Sequence, residues 1–118
     1  MTTTEKARII EKALDQKKAR DIKLLDISEL TSLAEIFIIC SCSSGVQVRA
    51  CADEADEKGK EAGLSLSHKE GYAGGEWILL DFGEIVVHVM TEKTREFYDI
   101  ERLWDEAIIL ESHCIDGD

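Results

Sequence analysis

The sequence predicts a mixed α/β fold in which a sheet of about five strands is flanked by helices. Strand-sized apolar segments rich in β-branched residues alternate with longer segments whose apolar residues follow helical spacing. Their order is helix, strand, strand, helix, strand, strand, strand, helix. A length of 118 residues without any proline suits one hydrophobic core. We therefore expect a single domain over 1–118, with its core at about 5–110 and a flexible tail at 111–118.

The first half of the chain predicts a helix followed by two strands. Thr2 and Glu5 have the spacing of a capping box, which opens a helix that we expect to end at about Lys18. Ile22–Ile27 then has the composition of a strand. Glu35–Ser41 is nearly all β-branched or aromatic, which is typical of a strand buried on both faces.

The middle of the chain predicts a second helix and a third strand. Ser43-Ser44-Gly45 offers side-chain oxygens for the N-cap, and Gly63 is placed as the C-cap. Leu64–Lys69 follows as a strand, and Gly71–Gly75 follows as a loop. The predicted core side of the helix consists of Val46, Cys51, Ala55 and Ala62.

The last third of the chain predicts a hairpin and a final helix. The hairpin consists of Trp77–Asp81, a turn at Phe82-Gly83, and Glu84–Met90. A turn over Thr91–Tyr98 comes next, and Asp99 is placed as an N-cap. The apolar positions of the final amphipathic helix are Ile100, Leu103, Trp104, Ala107 and Ile108.

The two faces of the predicted hairpin differ in character. A turn at Phe82-Gly83 pairs Asp81 with Glu84 and Trp77 with His88, and successive side chains then alternate between faces. One face is wholly apolar and is assigned to the core: Ile78, Leu80, Ile85, Val87 and Val89. The other face is mixed: Trp77, Leu79, Asp81, Glu84, Val86, His88 and Met90. An aromatic centre with a charged rim is typical of a protein interface. A helix packed over this face would instead make Trp77 part of the core, and the residues alone leave both interpretations open.

Net charge limits the classes of partner. A charge of −11 disfavours bare nucleic acid, because phosphate backbones repel an acidic protein. The same charge would steer the chain toward a basic surface, or it serves only to keep the protein soluble, and composition leaves both open. We expect a cytoplasmic protein that binds no membrane and no cofactor. Cys40, Cys42, Cys51 and Cys114 lie in apolar or helical contexts, which indicates reduced thiols.

Six segments carry a resemblance to one family: Asp21–Asp26 (DIKLLD), Ala34–Ser44 (AEIFIICSCSS), Gln47–Asp53, Glu70-Gly71, Gly75–Met90 (GEWILLDFGEIVVHVM) and Arg95–Trp104 (REFYDIERLW). In this order and spacing they resemble the ribosomal silencing factor family, also called Iojap-like, over roughly residues 5–108. The chain departs from common family members at Cys40-Ser41-Cys42 and at Gly45. These departures concern the start of the second helix.

The resemblance implies a function in translation and a nucleotidyltransferase-like fold without known transferase activity. Family members bind the large ribosomal subunit through its fourteenth protein, on the face that meets the small subunit. Binding there blocks joining of the subunits and represses translation when nutrients run short. The family's contact surface lies on the hairpin and the start of the last helix. Carried over residue by residue, the predicted partner-binding residues are Trp77, Leu79, Asp81, Glu84, Val86, His88, Arg95, Tyr98 and Glu101.

An active or degenerate nucleotidyltransferase is the alternative function. That chemistry needs two or three carboxylates on adjacent strands to hold a divalent metal, and a glycine-containing helix start to hold phosphate. Ser43-Ser44-Gly45 could form such a glycine-containing helix start, although simple helix capping explains these residues. Asp81 and Glu84 only flank a turn, and no alternating Asp-x-Asp or Asp-x-Glu pair follows them on a strand. We therefore predict no catalytic residue.

Two further alternatives concern a metal site and self-association. Cys40 and Cys42 would point to one side of a strand, where Cys51 and His68 could join them around zinc. Structural zinc sites usually show paired knuckles such as C-x₂-C, so buried thiols without metal are the expectation. A homodimer formed through the mixed face of the hairpin would use the same surface as a ribosomal partner. The sequence leaves the dimer open.

Overall fold

The computed structural model describes residues 1–111. The helices are α1 (Thr3–Gln16), α2 (Gly45–Glu61), α3 (Glu92–Tyr98) and the short 3-10 helix η1 (Ile100–Trp104). The strands are β1 (Arg20–Asp26), β2 (Ile36–Cys42), β3 (His68–Glu70), β4 (Trp77–Asp81), β5 (Ile85–Thr91) and β6 (Ile108–Leu110). None of the helices within this range combines the length and apolar character needed to cross a bilayer.

Within residues 1–111 the strands form one mixed sheet of six strands in the order β3-β4-β5-β2-β1-β6. The two central strands, β2 and β5, run parallel, whereas every other neighbouring pair is antiparallel. The predicted mixed α/β class is confirmed, and the predicted strand count is one too low. Helices α1 and α2 cover one face of the sheet, and their buried side chains form the main core with that face. The opposite face is covered less completely.

The two long helices begin where side chains can satisfy their first backbone N–H groups. In α1 the N–H of Glu5 donates to Oγ1 of Thr2 at 3.1 Å, and Oε1 of Glu5 accepts from the N–H of Thr2 at 2.7 Å. This is the predicted capping box, and the helix ends at Gln16, two residues before the predicted Lys18. In α2, Ser44 is the N-cap, and its Oγ accepts from the N–H of Gln47 at 3.2 Å.

The structure also tests the predicted C-cap of α2 and the residues predicted for its core side. Gly63 follows the helix with a φ of +91°, which suits its predicted role at the C-terminal end. Cys51 and Ala55 are buried as predicted, but Val46 is 76% exposed and is wrongly assigned to the core side. Val48 is buried instead. Two residues of an α-helix are about 200° apart, so Val46 and Val48 cannot share the buried side.

The hairpin has the predicted faces and a different register. Asp81 pairs with Val86 and Trp77 pairs with Met90, so the predicted pairing of Asp81 with Glu84 and Trp77 with His88 is wrong by two residues. The turn is longer because the N–H of Phe82 donates to the carbonyl of Ile85 at 2.9 Å, which leaves Gly83 and Glu84 at the tip. A shift of two residues preserves the alternation of faces. All five residues assigned to the core face are fully buried: Ile78, Leu80, Ile85, Val87 and Val89.

The C-terminal prediction is the least accurate. The predicted turn over Thr91–Tyr98 contains α3, and the predicted final helix is replaced by η1 and β6. Asp99, the predicted N-cap, has a φ of +46° and ends α3, and its side chain makes no capping hydrogen bond. Ile108–Leu110 pairs antiparallel with β1, because that strand would otherwise present an open edge. Residues 112–118, most of the predicted tail, lie outside the described residues.

The third strand is shorter than predicted. The sequence places it at Leu64–Lys69, and β3 spans His68–Glu70. Leu64 is buried against the main core, directly after the end of α2. Its apolar character therefore reflects packing beside the helix and not membership of the sheet.

Candidate protein-interaction surface

The face of the sheet opposite α1 and α2 carries a second apolar cluster. Its buried members come from the sheet, the β1–β2 connection and η1: Leu25, Ile27, Ala34, Ile39, Val86, Met90 and Ile100. Half-buried side chains pack against them: Phe37, Trp77, Leu79, Trp104 and Ala107. This face is therefore neither an open hairpin surface nor a sealed core. The C-terminal segment covers part of it and leaves large apolar groups in contact with solvent.

Six rings form a continuous chain across this surface, and we call them the aromatic face: Phe97, Tyr98, Trp77, His88, Phe37 and Trp104. Successive ring centroids in that order are 4.9, 5.1, 5.9, 5.0 and 5.1 Å apart. These separations lie in the range of favourable edge-to-face and offset contacts. Exposure decreases from 79% at Phe97 and 56% at Tyr98 to 5% at His88. The Phe97 and Tyr98 end of the aromatic face is therefore the part most open to solvent.

Trp77 and His88 are joined by a hydrogen bond that fixes the state of the histidine. The indole Nε1–H donates to Nδ1 of His88 at 3.1 Å. An indole nitrogen can only donate, so Nδ1 carries no proton, and neutral His88 holds its proton on Nε2. Burial lowers the pKa of His88 to about 4, so the neutral form prevails near pH 7. Nε2 is buried and has no hydrogen-bond partner within residues 1–111.

Arg95 and Glu101 form a bidentate ion pair within the protein. The Nε of Arg95 is 2.9 Å from Oε1 of Glu101, and its Nη2 is 3.1 Å from Oε2. Lys23 adds a second cation, with its Nζ 3.1 Å from Oε2. The hydrogen bonds from Arg95 are the main reason that the pKa of Glu101 falls to about 2. Both residues were predicted to bind a partner, and the structure shows them bound to each other.

The predicted carboxylates Asp81 and Glu84 are held in different surroundings. Oδ1 of Asp81 accepts from the backbone N–H of Gly83 at 2.8 Å, which stabilises the turn. Glu84 lies against the start of α1, where it accepts from Lys6 Nζ at 2.9 Å and from Thr3 Oγ1 at 2.9 Å. The hydrogen bond from Lys6 is the main cause that lowers the pKa of Glu84. The structure therefore does not bring Glu84 together with the aromatic face.

The remaining predicted hairpin residues line or underlie the surface. Val86 is buried in the second cluster. Leu79 and Trp77 are half-buried, and with Glu70 and Gly71 they line an open cleft of about 310 Å³. This cleft lies at the junction of β3 and β4, beside the aromatic face, and its walls combine apolar side chains with one carboxylate.

Sequence reasoning misplaced three large apolar residues, two of them in the aromatic face and one next in the chain to Trp104. Phe97 was assigned to a turn, although it is largely exposed beside Tyr98. Leu103 was assigned to the buried side of a helix and is 77% exposed on η1. Phe37 belongs to a strand that was expected to be buried on both faces, and its ring lies half-buried between His88 and Trp104. The aromatic residues of the segment REFYDIERLW were the available signal, but their placement required knowing that α3 ends at Tyr98.

The three described cysteines are buried and free of disulfides. The Sγ atoms of Cys42 and Cys51 are 3.5 Å apart. Hydrogen bonding with Cys40 raises the pKa of Cys42 to about 12, and hydrogen bonding with Cys42 raises the pKa of Cys51. His68 lies on the exposed edge strand beside Glu70 and away from these thiols. The geometry gives no support to the zinc site considered above, and residues 1–111 contain no group of three potential ligands placed to hold a metal.

Sequence comparison decides the family. The family described as "Ribosomal silencing factor during starvation" matches residues 1–116.

The chain belongs to the ribosomal silencing factor family.

Relatives within the ribosomal silencing factor family are similar over most of their length. The protein named ribosomal silencing factor RsfS of Chromobacterium violaceum is 43% identical over 104 residues, which are 88% of this chain and 85% of that protein. A crystal structure of a Chromobacterium violaceum protein superposes with a TM-score of 0.87 at 39% identity, covering 99% of this chain and 96% of the other. A Bacillus halodurans crystal structure has a TM-score of 0.82 at 32% identity, covering 93% and 100%. The predicted resemblance is confirmed.

Proposed function

We propose that this chain binds the large ribosomal subunit in the cytoplasm through the subunit's basic fourteenth protein. Bound there, it would block joining with the small subunit by steric exclusion and so repress translation. Family membership supports a role in ribosome silencing. The observation that carries the choice of surface is the chain of rings from Phe97 to Trp104, part of it open to solvent.

The aromatic face has the composition of a binding centre. Aromatic side chains with a polar group, such as those of Trp77 and Tyr98, contribute most strongly where a partner excludes water. Phe97 and Leu103 add exposed apolar area, and such exposure does not stabilise a monomer. Docking would remove this area from water. We therefore assign direct contact to Trp77, Leu79 and Tyr98, and we add Phe97.

Other predicted residues act around or beneath these contacts. Asp81 lies at the hairpin end and would contribute to the charged rim. Glu84 would meet a partner only at the margin, since it already accepts hydrogen bonds from α1. Val86 and His88 are buried and would support the rings above them.

Charge favours a basic partner. The net charge of −11 attracts a cationic ribosomal protein over distances comparable with the Debye length, which is about 8–10 Å near physiological salt. Attraction speeds the encounter, whereas burial of the rings sustains the complex. The same charge opposes contact with bare ribosomal RNA. This combination suits protein-mediated binding to a nucleic-acid-rich particle.

The geometry gives no comparable support to a transferase. Asp81 is engaged by its own turn, and Glu84 is engaged by Lys6 and Thr3. A metal-dependent transferase needs carboxylates that converge on one metal position. We therefore propose a binding function without catalysis.

Removal of the indole of Trp77 tests the proposal. We expect Trp77→Ala to bind purified large subunits about thirtyfold or more weakly, because interface hot spots contribute about 2 kcal/mol or more. The control is Val46→Ala, which truncates an exposed apolar residue at the start of α2, outside the aromatic face, and should bind normally. Binding is measured by co-sedimentation over a range of protein concentrations. Failure of the unmodified protein to bind, or equal binding by Trp77→Ala and Val46→Ala, would contradict the proposal.

A further inference from the structure

We infer that Arg95 is a positioning residue of the partner-binding surface: paired with Glu101, it holds Tyr98 beside Trp77 and does not itself contact the partner. This inference rests on the proposed function and deepens it, since it separates residues that touch the partner from residues that arrange them. It also replaces the expectation that Arg95 and Glu101 are contact residues.

The guanidinium of Arg95 is nearly saturated inside the protein. Arg95 is only 9% exposed. Besides its two bonds to Glu101, its Nη1 donates to the backbone carbonyl of Asp21 at 2.7 Å and to Oγ of Ser41 at 2.9 Å. Four of its five N–H groups are therefore accounted for by these geometries. Such a group has little left to offer a partner.

These bonds join elements that are distant in sequence. Arg95 belongs to α3 and Glu101 to η1, whereas Asp21 and Ser41 belong to the paired strands β1 and β2. The bond to Asp21 spans 74 residues of chain. The guanidinium group of Arg95 therefore fixes both α3 and η1 against the sheet at one point.

The residues enclosed by this ion pair are those that expose rings. Phe97 and Tyr98 lie between Arg95 and Glu101 in the chain, and Asp99 reverses the backbone with a φ of +46°. With both ends of the segment held, the ring of Tyr98 is placed 5.1 Å from that of Trp77. The contact between the C-terminal segment and the hairpin then exists before any partner arrives.

Preorganisation of this kind improves binding without adding contacts. A segment that is already ordered loses less conformational freedom on docking. The planar fork of arginine matches a carboxylate through two parallel bonds, a geometry that lysine cannot reproduce. Loss of either side of the pair should therefore loosen residues 97–104 while the hairpin stays intact.

Glu101→Gln is the decisive variant. Its side chain keeps its shape and is only partly buried, so the domain should fold, but the charge and one acceptor oxygen are lost. We expect faster amide hydrogen exchange within 97–104, unchanged exchange in the hairpin at 77–90, and a three- to tenfold loss of large-subunit affinity. Arg95→Lys should behave in the same way. Lys23→Gln is the control, because it removes the second cation and leaves the fork of Arg95 in place, so both measurements should stay near those of the unmodified protein.

The two measurements separate the explanations. Weaker binding with unchanged exchange would show that Glu101 touches the partner, and faster exchange with unchanged binding would show a purely structural ion pair. Either result overturns the inference while leaving the proposed function standing. Absence of binding by the unmodified protein would overturn the proposed function, and with it the role of Arg95 in binding.

Discussion

Trp77 and His88 determine each other's chemistry at the centre of the aromatic face. The indole N–H occupies Nδ1 of the imidazole, so protonation of His88 would place two donors against each other. Burial opposes the charge as well. Near neutral pH, His88 is therefore an uncharged scaffold for the indole. A polar group of this kind should give the protein an unusual pH dependence of stability.

We predict that the free energy of unfolding falls between about pH 7 and pH 5 because of His88. Its pKa is about 4 in the folded protein and 6.5 unperturbed, so in this range the unfolded chain binds the extra proton. Stability is therefore fully present above pH 6.5 and is lost as pH falls toward 4. The loss between pH 7 and pH 5 should be roughly 2 kcal/mol, measured by urea unfolding.

His88→Phe provides the comparison for this prediction. Its dependence on pH over the same range should be nearly flat, because phenylalanine does not titrate. Glu84 and Glu101 have lowered pKa values and act in the same direction, but only below their unperturbed value of 4.5. Equal pH slopes for His88→Phe and the unmodified protein would show that His88 is not the responsible group.

At the scale of elements, the loop before β4 is fixed by a close backbone approach. Gly71 has a φ of +82°, and a Cβ atom there would lie 2.0 Å from the carbonyl oxygen of Trp77. No other residue type fits without moving the start of the strand that carries the indole. The loop is also tied to α2, where Arg49 donates to the carbonyls of Tyr72 and Ala73. The position of Trp77 therefore depends on the loop before β4 and on its hydrogen bonds to α2.

Gly71→Ala should lower both stability and binding. A left-handed φ alone costs a residue with a Cβ about 1–2 kcal/mol, and the clash with the carbonyl of Trp77 adds to it. Gly63→Ala is the matched control, because its φ is +91° and a Cβ there would have no neighbour within 4 Å. We expect Gly63→Ala to be destabilised only by the left-handed φ, and to bind normally. Similar losses for the two variants, by thermal unfolding and co-sedimentation, would disprove the special role of Gly71.

Elements whose signals are local were predictable from the sequence, and elements that depend on distant partners were not. The capping box of α1 and the left-handed Gly63 require only neighbouring residues, and alternation alone assigned the core side of the hairpin. Strand β6 exists because β1 offers an open edge, which no pattern around Ile108 reveals. The bonds of Arg95 to Asp21 and Ser41 are equally remote in sequence. The sequence therefore predicted Arg95 as a contact residue without revealing that its guanidinium is hydrogen-bonded within the protein.

At the scale of the whole molecule, the two faces of the sheet differ in how completely they are buried. The main core lies between the sheet and the two long helices, and it contains the fully buried face of the hairpin. The second face holds a smaller cluster whose rings extend into solvent. Substitutions at exposed rings should therefore affect binding more than folding. The same arrangement leaves self-association as a competing use of the surface, since one aromatic face could cover another.

A photo-crosslinking residue placed at position 97 tests the central claim most directly. Phe97 is 79% exposed at the open end of the aromatic face, and Val46, 76% exposed on α2, is the matched control position. After irradiation with purified large subunits, we predict a covalent adduct from position 97 with the fourteenth protein of the subunit, and none from position 46. Adducts of equal yield from both positions, or adducts from position 97 with a different subunit component alone, would contradict the account.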